Sequence, residues 1–167
     1  MTQGYDVQVE RLPIQALFDL RGQRDELADW CGHALPDFPD APNTLAERYG
    51  VSMAWLGPDR WLLRGPLAEE AGLIAALRPG DAPPEISIVQ ISDTMAFFRI
   101  TGPDAADVLS IGCTLDLHPA VFPENGASHT DLFSLKALVV RCPDGFDIGV
   151  EQSFGPMVAA YFRKALD

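Results

Sequence analysis

Six side chains in this 167-residue sequence have the chemistry for metal binding or for nucleophile and base work: His33, His118, His129, Cys31, Cys113 and Cys142. Cys113 and His118 stand close together across an expected helix end. A structural zinc site needs about four ligands at favourable spacing, and the other candidates are scattered, so the pair reads as a buried thiol and a loop histidine. The cysteines are odd in number, widely spaced and without a CxxC, which does not describe a disulfide framework. Ser128 and His129 put a hydroxyl beside a base, yet neighbours in an extended segment point to opposite faces. The patterns GxSxG, P-loop and GxGxxG do not occur. Catalytic, cofactor-binding and metal-binding residues are therefore each expected to be none on this chain.

One helix start, TGPDAADVL from Thr101 to Leu109, has the look of an anion cradle. Free N–H groups and the helix dipole attract phosphate there. Here Pro103 removes a donor and Asp104 puts a carboxylate where the anion would sit. First-turn proline and acid are expected to cap the helix themselves. The same reasoning covers Gly65-Pro66, which precedes the next expected helix.

The charge balance narrows the partners. Twenty-four acids against twelve bases give a net charge of -12, and Lys136 and Lys164 are the two lysines. Phosphate backbones repel such a chain, and anionic membrane surfaces repel it nearly as well, so neither nucleic acid nor membrane is expected as a partner. No stretch approaches the ~20 apolar residues of a membrane span, and MTQGYDVQVERLP lacks the basic and apolar regions of a secretory signal. The expected location is the cytoplasm. Hydrophobic residues at 47% are enough for one compact core or two small ones.

The elements that would position any site repeat. FDLRGQRDELADWCGHALP (Phe18–Pro36) and FRITGPDAADVLSIGCTLDLHP (Phe98–Pro119) each read as strand, glycine, amphipathic helix, then Leu and Pro, with Gly22 matching Gly102. Helical spacing holds at Leu27, Trp30, Cys31 and Ala34, and at Ala105, Val108, Leu109 and Gly112. MAWLGPDRWLLRG (Met53–Gly65) parallels VVRCPDGFDIGV (Val139–Val150), each with a Pro-Asp pair suited to a turn between strands: Pro58-Asp59 and Pro143-Asp144. A helix follows each hairpin. The first carries Leu67, Ala71, Ile74 and Leu77 on one face. The second starts at Ser153 as N-cap and carries Phe154, Met157, Val158, Tyr161, Phe162 and Ala165. Strands are expected around Ile86–Ile91 and Met95–Ile100. The fold class expected is α+β, two fused split-βαβ (ferredoxin-like) units with antiparallel sheets, divided as residues 1–84 and 85–167. Leu35–Pro42 and Arg78–Pro84 are the expected connectors, and Leu117–Gly126 an irregular loop. Adjacent Phe97 and Phe98 cannot share a sheet face, so one of them packs on the far face or meets a partner.

The run ISDTMAFFRITGPDAADVLSIGCTLDLHPAVFP (Ile91–Pro123) resembles the sarcosine oxidase gamma subunit family. LRG (Leu20–Gly22), Leu35-Pro36, PNT (Pro42–Thr44), LGPDRWLL (Leu56–Leu63) and SFGPMVAAYF (Ser153–Phe162) resemble it too, in the family's order. The family is in turn distantly similar to the folate-binding domain of the glycine cleavage T-protein, whose strings compare with Ser92-Asp93, Gly102, Ala105 or Ala106, and Leu109. The resemblance implies a heterotetrameric flavoenzyme of alpha, beta, gamma and delta subunits, an oxidoreductase acting on CH-NH groups. It would demethylate sarcosine to glycine, reduce oxygen to peroxide and pass the one-carbon unit to tetrahydrofolate. FAD, FMN, NAD, tetrahydrofolate and zinc are expected on the other subunits and no cofactor on this chain. Gamma is implied to be a non-catalytic, structural subunit that packs on the alpha subunit's folate-binding domain and reaches beta and delta through it. One departure bears on chemistry: where the T-protein keeps acidic residues, among them the aspartate serving folate, this chain has Ser134 and Leu135 in SLKALVV. The alternatives are the gamma-type subunit of N-methylglutamate dehydrogenase, a free-standing folate-binding aminomethyltransferase-like protein, and a stand-alone binding module using the Leu117–Gly126 loop.

Overall fold

The computed structural model describes residues 4–166, which form ten strands and four α-helices in two compact units, 14–93 and 4–13 with 94–166. Within the first unit, β2 (Gln15–Arg21), α1 (Arg24–Cys31), β3 (Leu45–Arg48), β4 (Val51–Gly57), β5 (Arg60–Pro66), α2 (Glu70–Leu77) and β6 (Ser87–Gln90) follow in order. The strands pair as β3-β4-β5-β2-β6, all antiparallel. This is a βαββαβ unit with one additional edge strand, β3. The second unit holds β1 (Gln8–Arg11), β7 (Met95–Thr101), α3 (Ala105–Ser110), β8 (Ala127–Leu132), β9 (Leu135–Cys142), β10 (Gly145–Glu151) and α4 (Gly155–Leu166). Its order, β8-β9-β10-β7-β1, repeats that of the first.

The expected α+β class with paired split-βαβ units holds, and the duplication shows in a specific hydrogen bond. The Gly22 N–H donates to the Asp59 carbonyl at 3.0 Å, and the Gly102 N–H to the Asp144 carbonyl at 3.1 Å. Both glycines have positive φ, 136° and 119°, where a Cβ is strongly disfavoured. Each therefore lets the chain leave the central strand, bond to the Pro-Asp turn of the neighbouring hairpin and enter a helix.

Period-two alternation builds each core. Ala96, Phe98 and Ile100 of β7 and Phe146, Ile148 and Val150 of β10 join Val108 and Leu109 of α3 and Val158 and Phe162 of α4. Ala16, Phe18 and Leu20 of β2, with Trp61 and Leu63 of β5, join Leu27 and Cys31 of α1 and Leu73 and Leu77 of α2. Phe97 is buried on the face of β7 opposite Phe98, beside Gly149 of β10; a Cβ there would meet the Phe97 ring at 2.7 Å. That missing Cβ makes room for the second of the adjacent phenylalanines.

Several expectations need correction. The division at residues 84 and 85 falls at 93 and 94, because β6 pairs with β2 from Phe18↔Gln90 to Arg21↔Ser87 and adds Ile86 and Ile88 to the first core. The proline-rich Arg78–Pro84 segment is a connector inside one unit, turned by Arg78 at φ 47°. The N-terminal segment belongs to the other sheet, where Val9 pairs with Ile100. Ser153 does not cap α4: a 3-10 turn over Gln152–Phe154 precedes it, and the Ser153 hydroxyl donates to Glu151. Asp104 does not cap α3; its carboxylate accepts the Asp6 N–H at 2.8 Å and ties the chain entering β1. On α2 the buried face is Leu73 and Leu77, while Leu67 is exposed. EAGLIAAL is apolar nearly all round, so its periodicity leaves the inward face undetermined.

Candidate functional site

Ionisable groups are the natural start. Asp19 and Asp147 are buried at the centres of β2 and β10. Asp19 accepts two hydrogen bonds from Arg60, at 3.0 and 3.1 Å, and two from Arg21, at 2.8 and 3.1 Å. Asp147 faces Arg99 directly across the β7–β10 ladder and takes its fork at 2.7 and 2.9 Å. Burial alone would push the Asp19 carboxyl up, but the hydrogen bonds from Arg60 and Arg21 and their charges outweigh that and hold it below its ordinary value. Hydrogen bonding to Asp147 in turn raises Arg99. A carboxylate gripped on both oxygens by guanidinium is a poor proton acceptor at neutral pH. Arg60 and Arg99 reach Asp19 and Asp147 from the neighbouring strand, so these pairs are cross-strand staples. Their signal was present as a repeated string, Phe18-Asp19-Leu20 and Phe146-Asp147-Ile148, an acid in the middle of an apolar strand.

The thiols are similarly quiet. Burial pushes Cys31 up to about 11, and raises Cys113 as well, which keeps both as thiols rather than thiolates. His33, His118 and His129 are all exposed. Nδ1 of His118 accepts the Ala120 N–H at 3.2 Å, and the His118 backbone N–H donates to Asp116 Oδ1 at 2.9 Å, so this histidine shapes its loop. Ser128 is buried on β8, with its hydroxyl donating to the His129 carbonyl, while the His129 side chain lies exposed. Among the described residues no group of three or more His, Cys, Asp and Glu could hold a metal, and no helix is long and apolar enough to cross a membrane.

An open depression of about 680 Å³ lies at one end of the second sheet, around the Gly102 turn, lined in part by Asp6, Thr101, Pro103, Arg141, Asp144 and Phe146. Among the described residues that line it, the cation Arg141 is committed elsewhere. Arg141 donates to the Phe122 carbonyl at 2.9 Å and to the Leu117 carbonyl, and stacks on Phe146 at 4.8 Å. It therefore clamps the irregular 114–126 loop and leaves no free positive charge for an anion beside two aspartates. Arg48 does the same in the other unit, donating to the His33 and Leu35 carbonyls.

Ser134 and Leu135, where the T-protein comparison would put acids, fall at the tight turn between β8 and β9. Phe133 and Ser134 are its central residues, at φ 49° and 64°. Phe133 is a residue that the sequence reading passed over, since Leu-Phe-Ser-Leu has none of the Asn-Gly chemistry that marks such a turn. Its ring stacks on Tyr161 at 4.7 Å and meets Phe162 edge-on at 5.7 Å. Packing at this turn is thus carried by Phe133, while Ser134 and Leu135 bring no carboxylate to it.

Comparison with known proteins fits this scaffold. The sarcosine oxidase subunit gamma of Corynebacterium sp. (strain P-1) is 37% identical over 117 residues, 69% of this chain and 55% of the relative. The chain thus spans about half the length of the curated relatives it matches. Among solved structures, a chain of the heterotetrameric sarcosine oxidase from Corynebacterium sp. U-96 superposes with a TM-score of 0.83 at 26% identity, covering 96% of this chain and 83% of that one. The glycine cleavage system aminomethyltransferase T from Bartonella henselae shares the fold at 15% identity, with a TM-score of 0.67 over 94% of this chain and 45% of that one. Residues 34–166 match the family described as sarcosine oxidase, gamma subunit family, and the chain belongs to that family.

Proposed function

We propose that this chain is the small accessory gamma subunit of a heterotetrameric sarcosine oxidase and works in the cytoplasm without catalysing a step itself. The observation that carries this reading is the superposition over 96% of the chain on a chain of an assembled heterotetrameric sarcosine oxidase, with the family match beside it. The arginine-gripped carboxylates and buried thiols support a scaffolding part. On this reading the alpha, beta and delta subunits hold FAD, FMN, NAD, tetrahydrofolate and zinc. They convert sarcosine to glycine and pass the one-carbon unit to tetrahydrofolate, and gamma packs on the folate-binding domain of alpha.

The test is purification of the tagged chain from its own cell. Larger subunits with yellow flavin absorbance should accompany it, and the recombinant chain alone should turn over no sarcosine. A colourless monomer that binds tetrahydrofolate by itself, or sarcosine turnover by the isolated chain, overturns the proposal.

A further inference from the structure

Each unit closes its outer hairpin with a two-residue turn whose central residues both have positive φ: Tyr49 at 54° and Gly50 at 77° between β3 and β4, Phe133 at 49° and Ser134 at 64° between β8 and β9. The matching strand orders make the two turns topological equivalents. This type of turn prefers Asn, Asp or Gly at its first central position, and a bulky aromatic there is strained.

In the second unit the strained aromatic is put to use. Phe133 covers Gly112, whose missing Cβ would lie 2.3 Å from the ring, and it packs on Tyr161 and Phe162 of α4. The first unit offers no such surroundings. A three-residue 3-10 turn leads into α2 at residue 70 and into α4 at residue 155, so Ala76 stands where Tyr161 does and Leu77 where Phe162 does. Tyr49 is 96% exposed. Its ring sits in a conformation that disfavours it and gives its own unit almost no packing. Strain held in place without a folding return points to function.

We propose that Tyr49 is a docking anchor that inserts into a cleft on another subunit of the assembly; this rests on the subunit reading above. The second unit shows which surroundings an aromatic at this position takes, one ring face stacked and one ring edge met. The partner cleft is therefore lined by apolar and aromatic side chains, with an acceptor for the phenol O–H at its floor. The chain's net charge of -12 and the exposed Glu47 two residues away call for a basic rim around that cleft. Tyrosine in such a fully desolvated pocket belongs to the residue types that dominate interface energetics.

The experiment titrates the gamma-less complex with three forms of the chain: unaltered, Tyr49→Asn and Tyr49→Phe. Asparagine favours the turn, so Y49N should unfold in urea at no lower concentration than the unaltered chain, yet bind at least about 30-fold more weakly. Y49F keeps the ring and should lose much less. If the unaltered chain assembles and Y49N binds within about twofold of it, the anchor is overturned while the subunit reading stands. If the unaltered chain does not assemble, both fall. A Tyr49-dependent dimer of the isolated chain in sedimentation would assign the anchor to a second copy and overturn the proposal.

Discussion

Replacing Gly102 and Gly22 separately by alanine tests whether the two halves use one device with different neighbours. At Gly102, with φ 119°, a Cβ would lie 2.4 Å from the Asp6 carbonyl oxygen and 3.0 Å from Val7 Cα, both main-chain atoms of the segment entering β1. The unfavourable φ costs about 1–3 kcal/mol. Moving that segment also endangers the Asp6 N–H bond to Asp104 and the pairing of Gln8 with Thr101, each worth about 1 kcal/mol. Lower entropy of the unfolded alanine chain returns about 0.4–1 kcal/mol, leaving a loss of about 2–5 kcal/mol. At Gly22, with φ 136°, the nearest atom is the Ile86 Cγ2 methyl at 2.7 Å, a side chain that can yield, so about 2 kcal/mol is expected. Urea unfolding followed by far-UV circular dichroism measures both losses. Tryptophan fluorescence follows the 14–93 unit, because Trp30, Trp55 and Trp61 all lie in it. A Gly102→Ala chain within about 1 kcal/mol of the parent, or a larger loss for Gly22→Ala than for Gly102→Ala, would refute the reasoning.

Two further outcomes follow from the chemistry of single side chains. Burial raises Cys31 from 9.0 to about 11, so the folded state keeps a proton there that the unfolded chain releases. That contribution is complete below pH 9 and declines as pH rises toward 11. The stability advantage over Cys31→Ala should shrink by about 2 kcal/mol across that window, and an advantage that grows with pH would contradict it. Arg141→Ala removes both carbonyl clamps and the stack on Phe146, so hydrogen exchange in the 114–126 loop should quicken and stability drop by about 2 kcal/mol. Unchanged exchange at Phe122 and Gly126 in that variant would show that the loop holds itself.

The strand-glycine-helix runs and the Pro-Asp hairpins were legible because each pairs a strong local signal with a periodic one; of the face expected on α4, Val158 and Phe162 are buried while Phe154 and Tyr161 are exposed. Short edge strands were not. Gln8–Arg11 and Leu45–Arg48 are four residues each, the first with three polar residues and the second with two, and neither holds a fully buried residue, so no clear alternation marks them. The assignment of β6 to the first sheet is a tertiary choice, made by pairing with β2, which the proline-rich run before it obscured. On the side of chemistry, the absence of familiar motifs could be read directly, and the two mid-strand aspartates stood in a repeated string, whereas their arginine partners and the aromatic turns could not be read. They depend on which strands become neighbours and on backbone conformations that Phe133 and Tyr49 would not choose by themselves.

The place of β1 has a consequence for how the chain is made. Its partner strand, Met95–Thr101, leaves the ribosome only after the entire 14–93 unit has been synthesised, so Gln8–Arg11 waits on the order of ten seconds without a ladder. A nascent strand with open hydrogen-bonding groups invites pairing with the wrong neighbour, and charge, brevity and proline are the usual safeguards. Here the segment carries Glu10 and Arg11 and ends at Leu12-Pro13. Vectorial synthesis thus completes the 14–93 unit first and then recruits the strand made before it, a guarded strand held ready for a sheet that does not yet exist.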